Sequence, residues 1–404
     1  MTLPRKIAVT GMGAICAAGA SPERLWDSIE GGVSGLGALT LFESPRCGGA
    51  PVGEVRLDPS SGSGLPGGSR TDHLAVWAAR QAVESSGLLC AKDVDAARIA
   101  VVLGTTTGGM IDAEEFLSEL IKRHRLDVSL LQYHLCSTSC NAISDTFGFG
   151  GLRVTVSDAC ASGASAIATA CDILAAGDAD IVVAGGADSL TRLTINGFSS
   201  LLNVDPGGCR PFDANRKGMS LGEGAGVIVL ERPEHAVSRG AAVRGFVAGC
   251  GSSCDAYHAT RPAPDGRGAY RAMAAALNAA GLRPCDVDYI NAHGTGTVEN
   301  DAAEAAAIAE LFAGRIPYVS STKGYTGHTL AAAGAIETII CLEAVAHAKA
   351  PGTLGLETPD PRLGFTPVSA NIDASLAVAL TNSLGFGGTN TSVVVTSASW
   401  GGAS

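Results

Sequence analysis

The residue with the clearest setting for a nucleophile is Cys160, at the point where the extended run VTVSD gives way to the Ala-rich stretch ACASGASAIATACDILAAG, the two together spanning 154–177. A helix that begins there leaves backbone N–H groups unpaired and sets the positive end of its dipole beside the sulfur. Both favour thiolate, so the position predicts a lowered thiol pKa. Ala159, Ala161, Ser162 and Gly163 are small enough for a substrate to come close. The plainer reading is one more buried cysteine in an Ala-rich helix, which is how Cys171 reads further along.

Two histidines fall in comparable places. His293 follows an apolar run in YINAHGTGTVEND, before a turn whose glycines let backbone approach a ligand, and His328 stands in SSTKGYTGHTLAAAGAIE at the mouth of a helix. In a parallel sheet both would reach the carboxyl edge, where open α/β folds bind ligands, together with Cys160. A single histidine in such a place is more often structural; the three strand-end motifs together favour chemistry. His73, His124, His134, His235 and His347 lack this setting, and His258 is intermediate. Lys323, Asp301 and Glu304 lie near the two histidines in sequence, and a buried Lys and Glu could pair beside the imidazoles. Asp301 and Glu304 also suit the first turn of a helix at 299–314, Asp301 the better of the two. An α/β-hydrolase elbow is a competing reading, but its G-x-S-x-G pattern is not matched around Cys160.

The elements that must hold these residues read as alternating strands and helices. The runs at 7–13, 97–109, 154–158 and 179–188 are rich in β-branched residues and stop at Gly, Ser or Asp, as buried strands do. The second half repeats the theme at 224–231, 287–296, 317–324 and 380–396, with helices at 268–281 and 299–314. This predicts an α/β fold with a structural duplication and without an obvious residue-by-residue repeat. Ser, Gly and Pro dominate 59–69, which reads as a mobile loop.

Composition removes several function classes. Apolar residues make up 46% of the 404 and charged residues 17%, which excludes a disordered chain. The 28 basic against 39 acidic residues leave a net charge of −11, which argues against a general grip on nucleic acid. No run after Arg5 and Lys6 reads as a signal peptide and no uninterrupted apolar run reads as a membrane span, so the expected compartment is the cytoplasm. Twelve cysteines show no C-x-x-C pair, and Cys136/Cys140 and Cys250/Cys254 lack zinc-ribbon spacing, so no metal is expected.

With these residues in view, the chain resembles the beta-ketoacyl synthase family, the condensing enzymes of the thiolase fold. The likeness runs from KIAVTGMGAI to NSLGFGGTN and is carried by VSDACASG, NAHGTGT, SSTKGYTGH and the final glycine-rich motif with Phe386. It implies two pseudo-duplicated halves, 1–245 carrying Cys160 and 246–404 carrying both histidines and the glycine-rich loop, in a layered α-β-α-β-α arrangement. Carried over, Cys160 is the acylated nucleophile, His293 and His328 serve malonyl decarboxylation and enolate stabilisation, and Lys323 with Glu304 is the supporting charged pair. The oxyanion hole uses the N–H groups of Cys160 and Phe386, with Phe386 also the gate. Thr260 and Thr297 match positions for the phosphopantetheine arm, and Phe198, Thr107 and Leu384 are further substrate-binding candidates.

A Cys-His-His set resembles the elongating synthases, since the initiating type has Asn for the second His. The implied reaction is decarboxylative condensation of an acyl group with malonyl-acyl-carrier protein, with no cofactor beyond the carrier's phosphopantetheine. Leu384 stands where the housekeeping enzyme commonly has Phe, Thr107 where it has an apolar residue, and GTVEND is closer to type II polyketide synthases. Fatty acid and specialised polyketide or polyene synthesis are therefore both open. The implied partners are an acyl carrier protein and a second subunit, giving a homodimer or a heterodimer with a chain-length partner. A non-catalytic chain-length subunit is the alternative, against which Cys160 and both histidines weigh; a thiolase would lack HGTGT with STKGYTGH. Docking of an acidic carrier needs a local basic patch, with Arg70, Arg210 and Arg261 as candidates.

Overall fold

The computed structural model describes residues 6–91 and 94–401. Arg5, used above to judge the N-terminus, lies outside them. Strands β1 (Ile7–Cys16), β2 (Ile99–Gly104), β3 (Arg153–Val156), β4 (Ile181–Asp188) and β5 (Gly224–Glu231) belong to the first half of the chain. Strands β6 (Gly245–Cys254), β7 (Tyr289–Asn291) and β8 (Tyr318–Ser320) follow. A two-stranded ribbon, β9 (Lys349–Ala350) with β10 (Ile372–Asp373), precedes β11 (Val378–Leu384) and β12 (Thr389–Ser397).

The main strands join in the order β3-β2-β4-β5-β1-β6-β12-β11-β7-β8. Outward from the β1/β6 junction the two halves match: β1, β5, β4, β2, β3 on one side and β6, β12, β11, β7, β8 on the other. Each side runs through two antiparallel pairings and then two parallel ones. The sheet is therefore mixed, not wholly parallel: β5 runs antiparallel to both β1 and β4, and β12 to both β6 and β11. Only the outer strands of each half are parallel, and those deliver the site. A division after residue 245 falls at the start of β6.

Helices form three of the five layers. Arg70–Ser85 packs on β1, β4 and β5, and Arg267–Ala280 packs on β6 and β12. Between the halves lie Ser162–Ala176 and Ala333–Ala346, which touch each other and strands of both sides. Helices enclosed in this way are apolar nearly all round, as these two are. Their close crossing needs glycine: a Cβ on Gly334 would sit 2.8 Å from the Ala164 Cβ. The segment Ala159–Ala176 has the length and apolarity to cross a membrane, but here it is the inner layer between two sheet halves.

The predicted loop at 59–69 is more ordered in form than its composition suggests. Asp58 caps a short helix, Pro59–Ser63, by accepting from the Ser60 N–H, and Ser69 with Asp72 forms a capping box for the next helix. Local side-chain hydrogen bonds thus replace the disorder that Ser and Gly content implied.

Candidate active site

Cys160 sits at a strained turn. Ala159 adopts φ +48°, in the left-handed region unfavourable for a residue with a Cβ, and the helix Ser162–Ala176 begins two residues after Cys160. Ser162 closes the turn, its hydroxyl accepting from the Asp158 N–H at 2.7 Å and donating to the Ala159 carbonyl at 2.6 Å. The sulfur lies within hydrogen-bonding reach of its own N–H and that of Phe386. Gly385 makes this possible, since a Cβ there would stand 3.1 Å from the Asp158 carbonyl and 3.4 Å from the Cys160 nitrogen.

The sequence-based expectation of a lowered thiol pKa does not hold. Cys160 is buried, and removal from water pushes its pKa up to about 12, with Asp188 adding to the rise and Lys323 opposing it. Desolvation outweighs the helix end. The resting nucleophile is a thiol.

His293 and His328 share the cleft with Cys160, their rings edge to face with centroids 5.1 Å apart. His293 follows the end of β7, and its neighbour Ala292 donates its N–H to Ser320 at 2.8 Å. The backbone of His328 is clasped by the 220–222 segment: its N–H donates to Ser220 at 2.7 Å and its carbonyl accepts from Gly222 at 2.9 Å. Burial first, and Lys323 second, hold both imidazoles well below the usual histidine pKa. They are neutral at physiological pH, able to donate from one nitrogen and accept at the other.

The expected Lys323–Glu304 pair is not formed. Lys323 Nζ donates to Glu337 Oε1 at 2.5 Å and lies 3.5 Å from His293 Nδ1. Glu304 instead accepts the N–H groups of His293 and Gly294, each at 2.8 Å, and the Asn382 side-chain amide at 3.1 Å. It shapes the His293 turn rather than balancing the lysine. Glu337 was missed, although an acid in the first turns of the largely apolar Ala333–Ala346, which also carries Glu343 further along, was a signal that a buried cation must be near. Burial raises its pKa to about 7 against the pull of Lys323. Asp301 is no exposed first-turn acid: it is buried, accepts from the Phe212 and Gly296 N–H groups, and pairs with Arg216.

Around this centre the cleft is lined by Phe198, Leu384, Phe386, Thr260, Thr297 and Arg261, with Thr295 and Met219 as members not singled out from sequence. Phe386 lies against Phe198, ring centroids 5.3 Å apart. The Gly385–Gly388 loop is pinned to the 255–259 segment by Gly387 N–H to Ala259 O and Asp255 N–H to Gly388 O, both 2.8 Å. Thr107 is not in the lining; its hydroxyl is taken by Asp188 Oδ1 at 2.9 Å and by the Ser189 N–H. Nor is Arg70 a surface cation: it is mostly buried and forks onto Glu223. Arg210 is engaged by Asp205 at 3.1 Å, while Arg261 is exposed and unpaired among the described residues. Among those residues no His, Cys, Asp and Glu side chains group as metal ligands.

Comparison with known proteins agrees along the chain. Residues 4–236 match the N-terminal domain of beta-ketoacyl synthases and residues 244–357 the C-terminal domain. The 3-oxoacyl-[acyl-carrier-protein] synthase 2 of Synechocystis sp. is 36% identical over 403 residues, covering 96% of each chain. Nodulation protein E of Rhizobium meliloti is also 36% identical, over 96% of this chain and 98% of that protein. Among solved structures, the ishigamide ketosynthase/chain length factor superposes with a TM-score of 0.93 at 31% identity, covering 98% of this chain and 99% of that one. A type II polyketide ketosynthase complexed with its acyl-carrier protein gives 0.88 at 27% identity, over 98% and 100%. A cysteine and two neutral histidines converging at one cleft of a twofold-repeated sheet, with both domain matches, show that the chain belongs to the beta-ketoacyl synthase family.

Proposed function

We propose that the protein condenses an acyl group held on Cys160 with malonyl-acyl-carrier protein, releasing carbon dioxide and a β-ketoacyl carrier protein two carbons longer. The observation that carries this reading is the convergence of the Cys160 and Phe386 N–H groups on the Cys160 sulfur, beside two neutral imidazoles. In the first half-reaction the thiol sulfur attacks the incoming thioester, its proton passing to the departing pantetheine sulfur. The acyl oxygen develops charge where the two N–H groups point. In the second, the malonyl carboxylate leaves as carbon dioxide and its bonding pair becomes an enolate. His293 and His328 donate to the enolate oxygen in a site shielded from water. The enolate carbon then attacks the acyl carbon, the C–S bond to Cys160 breaks as the ketone re-forms, and the released thiolate takes one proton from water to return to the thiol.

No step so written requires a metal or organic cofactor. The hydroxyls of Thr260, Thr295 and Thr297 along the cleft suit the amides of a phosphopantetheine arm, and unpaired Arg261 beside them suits an acidic carrier. Such a carrier-dependent reaction is assigned to the cytoplasm.

A second subunit is supported by the surface near β3. The edge strand β3 is open on one side, and Leu117, Ile121, Leu126, Val128 and Leu135 are exposed on the segments that lead to it. An apolar surface with an unpaired edge is what a permanent partner covers. Fatty acid elongation and specialised polyketide or polyene synthesis remain the two pathway assignments. The ketosynthase/chain length factor relatives favour the second, and with it a chain-length partner in place of a second copy. Cys160 with both histidines weighs against a non-catalytic subunit.

The test is incubation with acyl-carrier proteins of varied length and unsaturation, followed by malonyl-carrier protein, with intact-mass detection. Acylation of Cys160 and a product two carbons longer are expected, with neither in Cys160→Ala. Acylation elsewhere, or none with a panel that includes a co-expressed partner subunit, overturns the reading.

A further inference from the structure

Behind Cys160 lies a buried carboxylate that the mechanism above does not use. Asp188 ends β4 with 0% of its surface open, and among the described residues no ion pair includes it. A carboxylate without a cation persists in an interior only if hydrogen bonds replace its water. Its Oδ1 accepts from the Thr105 and Thr107 hydroxyls, both at 2.9 Å, and from the Thr106 and Thr107 N–H groups, both at 2.8 Å. Its Oδ2 accepts from the Thr106 hydroxyl at 2.5 Å and the Ala331 N–H at 2.9 Å.

These donors come from two places that matter. Thr105–Thr107 follow β2, beside the nucleophile's helix, and Ala331 is three residues beyond His328. Leu330 between them is strained at φ +53°. The Ala331 carbonyl is wedged against the inner layer, 2.5 Å from where a Cβ on either Gly163 or Gly186 would stand. Ala331 is therefore held at both backbone polar atoms, its nitrogen by Asp188 and its oxygen by the nucleophile's helix and β4.

We propose that Asp188 is a positioning residue of the condensation: its carboxylate locks the turn after His328 onto the loop after β2 and so sets where the His328 ring stands relative to Cys160. The assignment rests on the condensing reading above. Its charge has a second effect. Cys160 faces Lys323, His293, His328 and Asp188, with Glu337 behind Lys323, Glu304 behind His293 and Asp158 on its own turn. Of these, Lys323 draws the thiol toward ionisation and Asp188 opposes it. The Cys136 thiol feels the same carboxylate.

Asp188→Asn keeps the shape and removes the charge. The condensation kcat is expected to fall about tenfold or more with the KM for malonyl-carrier protein within about twofold, since the loss is one of alignment. Iodoacetamide alkylation of Cys160 at pH 8, read by peptide mass, is expected to speed up about tenfold, as a thiol freed of a nearby negative charge ionises more readily. Thr107→Val keeps both the charge and the Ala331 bond, so its alkylation stays within about twofold of wild type. Asp188→Glu keeps the charge but shifts it, so alkylation stays slow while kcat falls; it also serves if Asp188→Asn does not fold. An unchanged kcat in either Asp188 variant, no faster alkylation in Asp188→Asn, or equal acceleration in Thr107→Val overturns the proposal. Alkylation is read whether or not the wild type condenses, so failure of the condensing reading shows separately.

Discussion

At the scale of single residues, the site holds its reactants in neutral form. Cys160 is a thiol and both histidines are unprotonated, all three for the same reason: burial penalises the charged form. The alkylation rate of Cys160 is therefore expected to keep rising as pH is raised well beyond 9, the ordinary thiol value, without a plateau at neutral pH. A plateau below pH 8 would show a preformed thiolate. The buried charge pair beside the two histidines is Lys323 with Glu337, and Glu337 titrates at about 7. Below that pH Glu337 takes up a proton and leaves Lys323 unbalanced beside His293. The pH profile of malonyl decarboxylation is expected to fall on the acid side near pH 7, and that limb should vanish in Glu337→Gln. The same variant should lose about 3 kcal/mol of stability in urea unfolding, because it leaves a buried cation without its partner.

At the scale of elements, glycines set how close the layers come. Gly163, in the first turn of the nucleophile's helix, meets the Ala331 carbonyl; a Cβ there would be 2.5 Å from that oxygen. Backbone must then move. Gly163→Ala is expected to cost about 1–3 kcal/mol, in the manner of an overpacked core. It should also lower kcat by displacing the turn after His328, as steady-state kinetics beside thermal unfolding would show. In the loop Gly385–Gly388, Gly387 and Gly388 adopt φ of +89° and +87°. A Gly388→Ala change strains a backbone that side chains rarely adopt and brings a Cβ to 3.0 Å from that of Asp255, so acylation of Cys160 should slow.

At the scale of the whole molecule, burial of thiols makes stability depend on alkaline pH. Cys16 and Cys140 are raised to about 11, Cys160 and Cys209 to about 12, and Cys341 further still. For each, the folded pKa lies above the unfolded value of 9.0, so the contribution is complete below pH 9 and is lost as pH climbs through the folded values. The Tm should fall steeply between pH 9 and 11, with Cys16, Cys140, Cys209 and Cys341, which lie outside the reacting centre, becoming reactive together in the same unfolding transition. Piecemeal reaction with Tm unchanged would contradict that burial.

Much of this was legible in the sequence because it is local. Cys160, His293 and His328 each stand at a strand end marked by Gly, Ser or Thr, whereas Phe386 came only with the resemblance, inside the run 380–396 that the structure breaks into β11 and β12 around it. The exchange of Glu304 for Glu337 as the partner of Lys323 was not legible, since it depends on how Ala333–Ala346 crosses between the sheet halves. The thiol's pKa was misjudged for the same cause: a helix start is local, but the water excluded from it is decided by the opposite half of the molecule. Thr107, Arg70 and Asp301 likewise looked like lining or surface residues until packing gave each a buried partner. Sequence determined where Cys160, His293 and His328 fall along the chain and that strands and helices hold them. Tertiary structure alone decided which charges meet and which groups stay neutral, because desolvation and pairing arise only where segments distant along the chain close on one another.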